Sequence, residues 1–191
     1  IAENGLAWLG GGAAALAGIF AAPLLVAQSW FSPAVQMSCA FILGVAFIGL
    51  SEWARRVGVA RPPGHPLVAA LLAGAGAASL YATAWGAHGL HDLIGPWTAT
   101  VFLLICALLL AALSFLHGQA FGVLAIVAAM LTPALASFIV WPTYAVTLFV
   151  CAVAAAGFAL AALRRWGWVA VATMVGLYFW FAAAIALGET T

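Results

Sequence analysis

Apolar residues run through this chain in seven long stretches, at about residues 5–27, 34–54, 66–90, 97–116, 119–140, 143–163 and 168–187. Polar residues collect in the short gaps between them. Each stretch has about the 20 residues that an α-helix needs to cross the hydrocarbon core of a bilayer. Runs such as 102–113 are apolar on every face. A membrane β-barrel needs strands of about 10 residues that alternate polar and apolar positions, so this pattern argues against one. The longest gap, 55–65, is too short for an extramembrane domain. The pattern predicts an all-α, polytopic membrane helix bundle with seven transmembrane helices, a single transmembrane domain over 1–191.

Composition narrows the classes further. Hydrophobic residues make up 68% of the 191 positions and charged residues 5%, with five Lys plus Arg (all Arg) and four Asp plus Glu. A soluble domain carries about 25% charged residues. So few charges cannot cover a soluble surface, which excludes a free-standing soluble enzyme. They also supply no basic patch for nucleic acid. The expected surroundings are a lipid bilayer and further membrane helices, from the same chain or from other membrane subunits.

The charges that exist are ordered. Arg55, Arg56 and Arg61 flank the second-to-third connection, and Arg164 and Arg165 the sixth-to-seventh. The loops near 29–33, 91–96 and 141–142 carry no Lys or Arg. Basic loops stay in the cytoplasm, which predicts the N-terminus inside and the C-terminus outside. Trp8, Trp53, Trp166 and Trp168 then fall at the inner interface, and Trp30, Trp85, Trp97 and Trp141 at the outer. Trp180 lies deep in the seventh stretch and fits neither belt.

The even-numbered stretches share a frame. Each begins after a proline, Pro33, Pro96 or Pro142, and ends at Arg55, His117 or Arg164, with Gly58, Gly118 or Gly167 following. Proline suits a first helical turn and glycine the far end. This frame predicts repeated helical hairpins at about 5–54, 66–116 and 119–163 with an unpaired helix at 168–187. An unfinished hairpin predicts a fragment of a longer membrane protein. Small residues recur every four positions at Gly10, Ala14, Gly18 and Ala22, and again at Ala70, Gly74, Ala78, Ala82 and Gly86. Such stripes are expected to pack helices closely in lipid. Pro23 and Pro133 are expected to kink their helices.

Little polar material is left for chemistry. Glu52 precedes Arg55 and Arg56 by three and four positions, the spacing of a helical ion pair; a cation or proton site is the sharper alternative. His88, His91 and Asp92 would share one face if their helix continued, and could then hold a metal or pass a proton. Gly89 and the nearby Gly95–Pro96 argue that the helix ends there, so the simpler reading is a polar turn. Tyr81, Thr83 and Thr132, with Gln28, Gln36 and Thr100, are candidate interhelical hydrogen-bonding groups. Cys39, Cys106 and Cys151 have no spacing that forms a disulfide framework or a zinc site, and read as apolar fillers. His65 and His117 lie at inner helix ends, with His88 and His91 at outer ones, which does not suit a haem between helices. No metal, cofactor or catalytic residue is assigned.

Several short motifs are familiar in their order. The opening Glu3-Asn4-Gly5-Leu6-Ala7-Trp8-Leu9-Gly10-Gly11, then Ser32-Pro33-Ala34-Val35 and Glu52-Trp53 with the Arg pair, form the first part of the series. Leu80-Tyr81-Ala82-Thr83, His117-Gly118-Gln119 and Leu131-Thr132-Pro133 complete it. Together they resemble the bacterial family of predicted membrane proteins catalogued as domain of unknown function 2339. The resemblance covers the whole chain. It implies the N-terminal part of a longer multi-pass membrane region and carries no established activity. The His88–His91–Asp92 group departs from the family's pattern, where aromatics are more usual.

Three function classes follow. The first is a transporter-like or channel-like scaffold in the bacterial inner membrane, with unknown substrate. The second is a structural or assembly subunit of a larger membrane complex. The third is an intramembrane enzyme acting on lipid-linked envelope precursors through His88, His91 and Asp92. An enzyme is the least expected of the three, because so few polar groups lie within the helices.

Overall fold

The computed structural model of the chain describes residues 32–58, 66–136 and 143–188. Six α-helices account for nearly all of them, and no strand occurs among the described residues. They are α1 (Pro33–Gly58), α2 (Pro66–Gly89), α3 (Pro96–His117), α4 (Gln119–Leu135), α5 (Thr143–Arg164) and α6 (Gly167–Gly188). Five are long and apolar enough to cross a membrane, and α4, at 17 residues, is the exception. Seventeen residues rise about 26 Å, short of a hydrocarbon core of about 30 Å. The stretch expected as helix over 119–140 is described as helix only to Leu135. Its last bond is the Ala136 amide donating to the Thr132 carbonyl at 2.9 Å, just past Pro133. The expected first span, with Pro23 and the stripe Gly10, Ala14 and Gly18, lies outside the described residues.

The chain divides into two compact units, Ile1–Ile94 and Gly95–Thr191. In the first unit α1 and α2 pack along their length. Met37 lies against Gly86, Gly44 against Gly76 and Leu80, and the Ser51 hydroxyl donates to the Ala69 carbonyl at 2.6 Å. Rising numbers on α1 meet falling numbers on α2, so the pair is antiparallel. The buried face of α2 runs Ala69, Ala73, Gly76, Leu80, Ala84 and Ala87, in steps of three and four. That is the seam spacing of helices packed side by side. The crossing is tight at its middle. A Cβ on Gly76 would lie 2.7 Å from the Gly44 carbonyl oxygen and 2.7 Å from Ile48 Cγ1.

In the second unit α4 is the central element. It packs against α3, α5 and α6, while α5 and α6 also pack against each other. Ile126 and Met130 of α4, Val150, Ala154 and Ala161 of α5 and Val169 of α6 form the apolar core. Glycines let the helices approach at three levels. Gly122 faces Val169 and Trp166, Gly157 faces Thr173 and Ile126, and Gly176 faces Met130. The α3–α4 link is the single residue Gly118, at φ +95°, a left-handed conformation that glycine adopts without steric cost. The α5–α6 link turns at Arg165, at φ +55°, and the Trp166 amide closes it on the Ala161 carbonyl at 3.0 Å. This is a Schellman-type helix end. The Arg164 guanidinium sits 4.7 Å from the Phe115 ring centroid, so both links lie at the same end of this unit.

Helices adjacent in sequence pack against each other across 59–65, Gly118, 136–142 and 165–166. The two helices of the expected hairpin 119–163, α4 and α5, are one of these packed pairs, and the first helix of the expected hairpin 5–54 lies outside the described residues. The boundary between the units falls within 66–116.

Candidate functional site

Three groups of polar residues merit a chemical reading. The first is at the end of α1. Glu52 accepts from Arg55 through both oxygens, at 2.8 Å from Nε and 2.7 Å from Nη2, and from Arg56 Nε at 2.7 Å. Helical spacing places all three on one side, and the forked guanidinium matches the carboxylate. Both Glu52 oxygens are already engaged by arginine, so the group serves as an ion-paired helix end.

The second group is His88, His91 and Asp92. Helix α2 stops at Gly89, and Asp92 takes a left-handed φ of +49°. The ring Nδ1 of His88 bonds the Ile94 carbonyl at 2.9 Å, fastening the turn. The three residues therefore do not lie along one continuous helical face. Among the described residues no group of three His, Cys, Asp or Glu side chains is arranged to hold a metal ion. His91 Nε2 is buried and has no hydrogen-bond partner in the turn.

The third group lies inside the second unit, around Pro133. Proline gives no N–H to the carbonyl four residues back and crowds the preceding turn. The Thr132 hydroxyl, fully buried, donates to the Ala128 carbonyl at 3.0 Å. The indole Nε1 of Trp180, from α6, donates to the Met130 carbonyl at 2.9 Å. Trp180, too deep for an interfacial belt, thus ties α6 to the turn of α4 before its proline. Depth in the span was the only sequence signal for it.

The other candidates are used locally. Thr83 donates to the Ser79 carbonyl at 2.7 Å. Tyr81 and Thr83 lie toward the far end of α2, at least 12 residues or about 18 Å of helix from the level of Ser51, next to Glu52. Glu52, Tyr81 and Thr83 therefore do not meet in one site. Of the stripe Ala70, Gly74, Ala78, Ala82 and Gly86, Gly86 is buried against α1, while Ala78 and Ala82 are exposed. Sequence reasoning missed Gly44, Gly76 and Ser51, which make close contacts between α1 and α2. Cys39 and Cys151 are exposed and Cys106 is buried, all as free thiols.

Long apolar helices, small residues at their crossings and polar groups turned onto main-chain carbonyls define a multi-pass helical membrane protein. The chain belongs to the family described as predicted membrane protein (DUF2339), whose profile matches residues 2–190. No curated protein and no solved structure matches it.

Proposed function

We propose that this chain is a packing scaffold within a larger membrane protein or complex, a structural or assembly part rather than a conduit. One observation carries the reading. Every buried hydroxyl among the described residues donates to a main-chain carbonyl: Ser51 to Ala69, Thr100 to Pro96, Ser114 to Ala111, Thr132 to Ala128 and Thr173 to Val169. The Ser51 bond joins α1 to α2, as interhelical bonds do in an apolar medium. The other four close on their own helix. All five leave no hydroxyl proton for a permeating solute. A transporter-like or channel-like role is the second reading, favoured by Pro133 and by the α4 carbonyls beside it, since irregular helix turns serve as binding elements in transporters. An intramembrane enzyme using His88, His91 and Asp92 has less support, because the helix ends before they align.

The scaffold spans the bacterial inner membrane seven times, with its N-terminus and arginine loops in the cytoplasm. The sidedness rests on the arginine positions, and the contact of Arg164 with Phe115 is in keeping with it.

Cysteine labelling of the full-length protein tests both parts, after Cys39, Cys106 and Cys151 are replaced by alanine. Arg61→Cys is expected to react with a membrane-impermeant thiol reagent from the cytoplasmic side alone; labelling from the other side reverses the topology. Thr132→Cys and Tyr81→Cys are expected to stay unlabelled from both sides. Labelling of either through water would replace the scaffold with the transport reading.

A further inference from the structure

One turn of the second unit carries two cations and no anion. Arg164 and Arg165 close α5 and are exposed, and the stretch 95–188 contains no Asp or Glu. Arg55 and Arg56 differ in this respect, because they share Glu52. Arg164 is braced by aromatic faces, 4.7 Å from the Phe115 ring centroid and 5.4 Å from that of Trp166. The Trp166 ring in turn rests against Gly122 of α4, which fixes the bracket to the centre of the unit. Aromatic rings hold a guanidinium by attraction to its charge and take none of its N–H groups as hydrogen-bond donors, which leaves those groups for a planar or phosphate-like acceptor. Helices α4 and α6 also begin at this end, and neither has an acidic residue in its first turn. Large apolar side chains flank the cations: Leu163 is 83% exposed and Trp168 70%. Apolar surface beside arginine suits a headgroup with its acyl chain alongside, more than a water-borne ion.

We propose that the Arg164–Arg165 turn, with Phe115 and Trp166 bracing Arg164, binds the phosphate headgroup of an anionic phospholipid. The lipid supplies the negative charge that residues 95–188 lack, and its acyl chains lie along Leu163 and Trp168. This goes beyond the scaffold reading and does not depend on it.

Native mass spectrometry of the full-length protein in detergent, titrated with phosphatidylglycerol, phosphatidylcholine and inorganic phosphate, tests the site. An arginine near an anionic lipid surface contributes about fivefold in affinity. Replacing both residues, Arg164→Gln with Arg165→Gln, is expected to weaken phosphatidylglycerol binding about 30-fold, toward the phosphatidylcholine level. The pair Arg164→Lys with Arg165→Lys, which keeps both charges for membrane insertion, is expected to stay within about fivefold of the parent. If the glutamine pair does not accumulate, Arg165→Gln alone is expected to lose about fivefold. Unchanged binding by the glutamine variants overturns the proposal, as does equal binding of both lipids by the parent. Displacement of phosphatidylglycerol by millimolar inorganic phosphate also overturns it, since that marks a site for free anions.

Discussion

The bond from Trp180 to Met130 links α6 to the turn of α4 before Pro133, and removing its donor is a direct test of how this unit is held. Trp180→Phe keeps an aromatic ring in the same place and deletes the indole N–H, which donates at 2.9 Å to a carbonyl on a residue 4% exposed. A neutral hydrogen bond contributes about 0.5–1.5 kcal/mol net, and an unpaired buried acceptor costs about 1–3 kcal/mol. Interhelical hydrogen bonds inside membranes average nearer 0.6 kcal/mol. With some loss of ring contact, the expected destabilisation is about 1–2 kcal/mol. Reversible denaturant unfolding of the full-length protein in mixed micelles reads it. The diagnostic step repeats the substitution in a Pro133→Ala background. Alanine restores the N–H to the Ala129 carbonyl, beside the Met130 carbonyl that the indole uses, and removes the ring that crowds this turn, so the α4 backbone holds the turn with less help from α6. The indole bond then matters less, and the penalty for Trp180→Phe is expected to fall by at least about 0.5 kcal/mol. An equal penalty in both backgrounds would refute the link between the tryptophan and the proline, leaving Trp180 as packing alone.

Three further outcomes follow from the helix crossings. Gly76→Ala puts a Cβ 2.7 Å from the Gly44 carbonyl oxygen, where backbone must move, and is expected to cost about 1–3 kcal/mol of stability by the same unfolding measurement. Gly49→Ala, on the same helix as Gly44 but with nothing within 4 Å of the added carbon, is expected to be neutral or to stabilise by up to about 1 kcal/mol. Gly157→Ala drives a methyl into the Thr173 hydroxyl, and thermal unfolding should show a loss that Thr173→Ala partly restores. A loss unaffected by the second change would place the strain elsewhere.

Much of this architecture was legible in the residues because it is local. Apolar length marked the spans that are described as helices, and Pro96 and Gly118 fell at the expected helix ends, since caps depend on a few neighbouring positions. Gly167 instead begins α6, and Arg165 takes the left-handed position that closes α5. The Glu52–Arg55–Arg56 group followed from helical spacing alone. The ending of α2 at Gly89 was readable from the glycine and the Gly95–Pro96 that follows. That end separates His88 from Asp92.

What the sequence did not contain was the choice of faces. A helix apolar all round carries no amphipathic stripe to say which side packs and which meets lipid. The stripe Ala70–Gly86 and the seam Ala69–Ala87 on α2 are built from the same small residues, so composition does not separate them. Only the fit of Gly76 against Gly44, and of Ser51 against Ala69, selects the seam. The central place of α4 likewise depends on three glycines from different helices meeting at Val169, Thr173 and Met130. The role of Trp180 depends on a carbonyl 50 residues away. Length, caps and charge determined that this chain makes membrane helices and where its arginines gather. Close packing between helices, a property of pairs of surfaces, decided which faces are joined and which polar groups are used to join them.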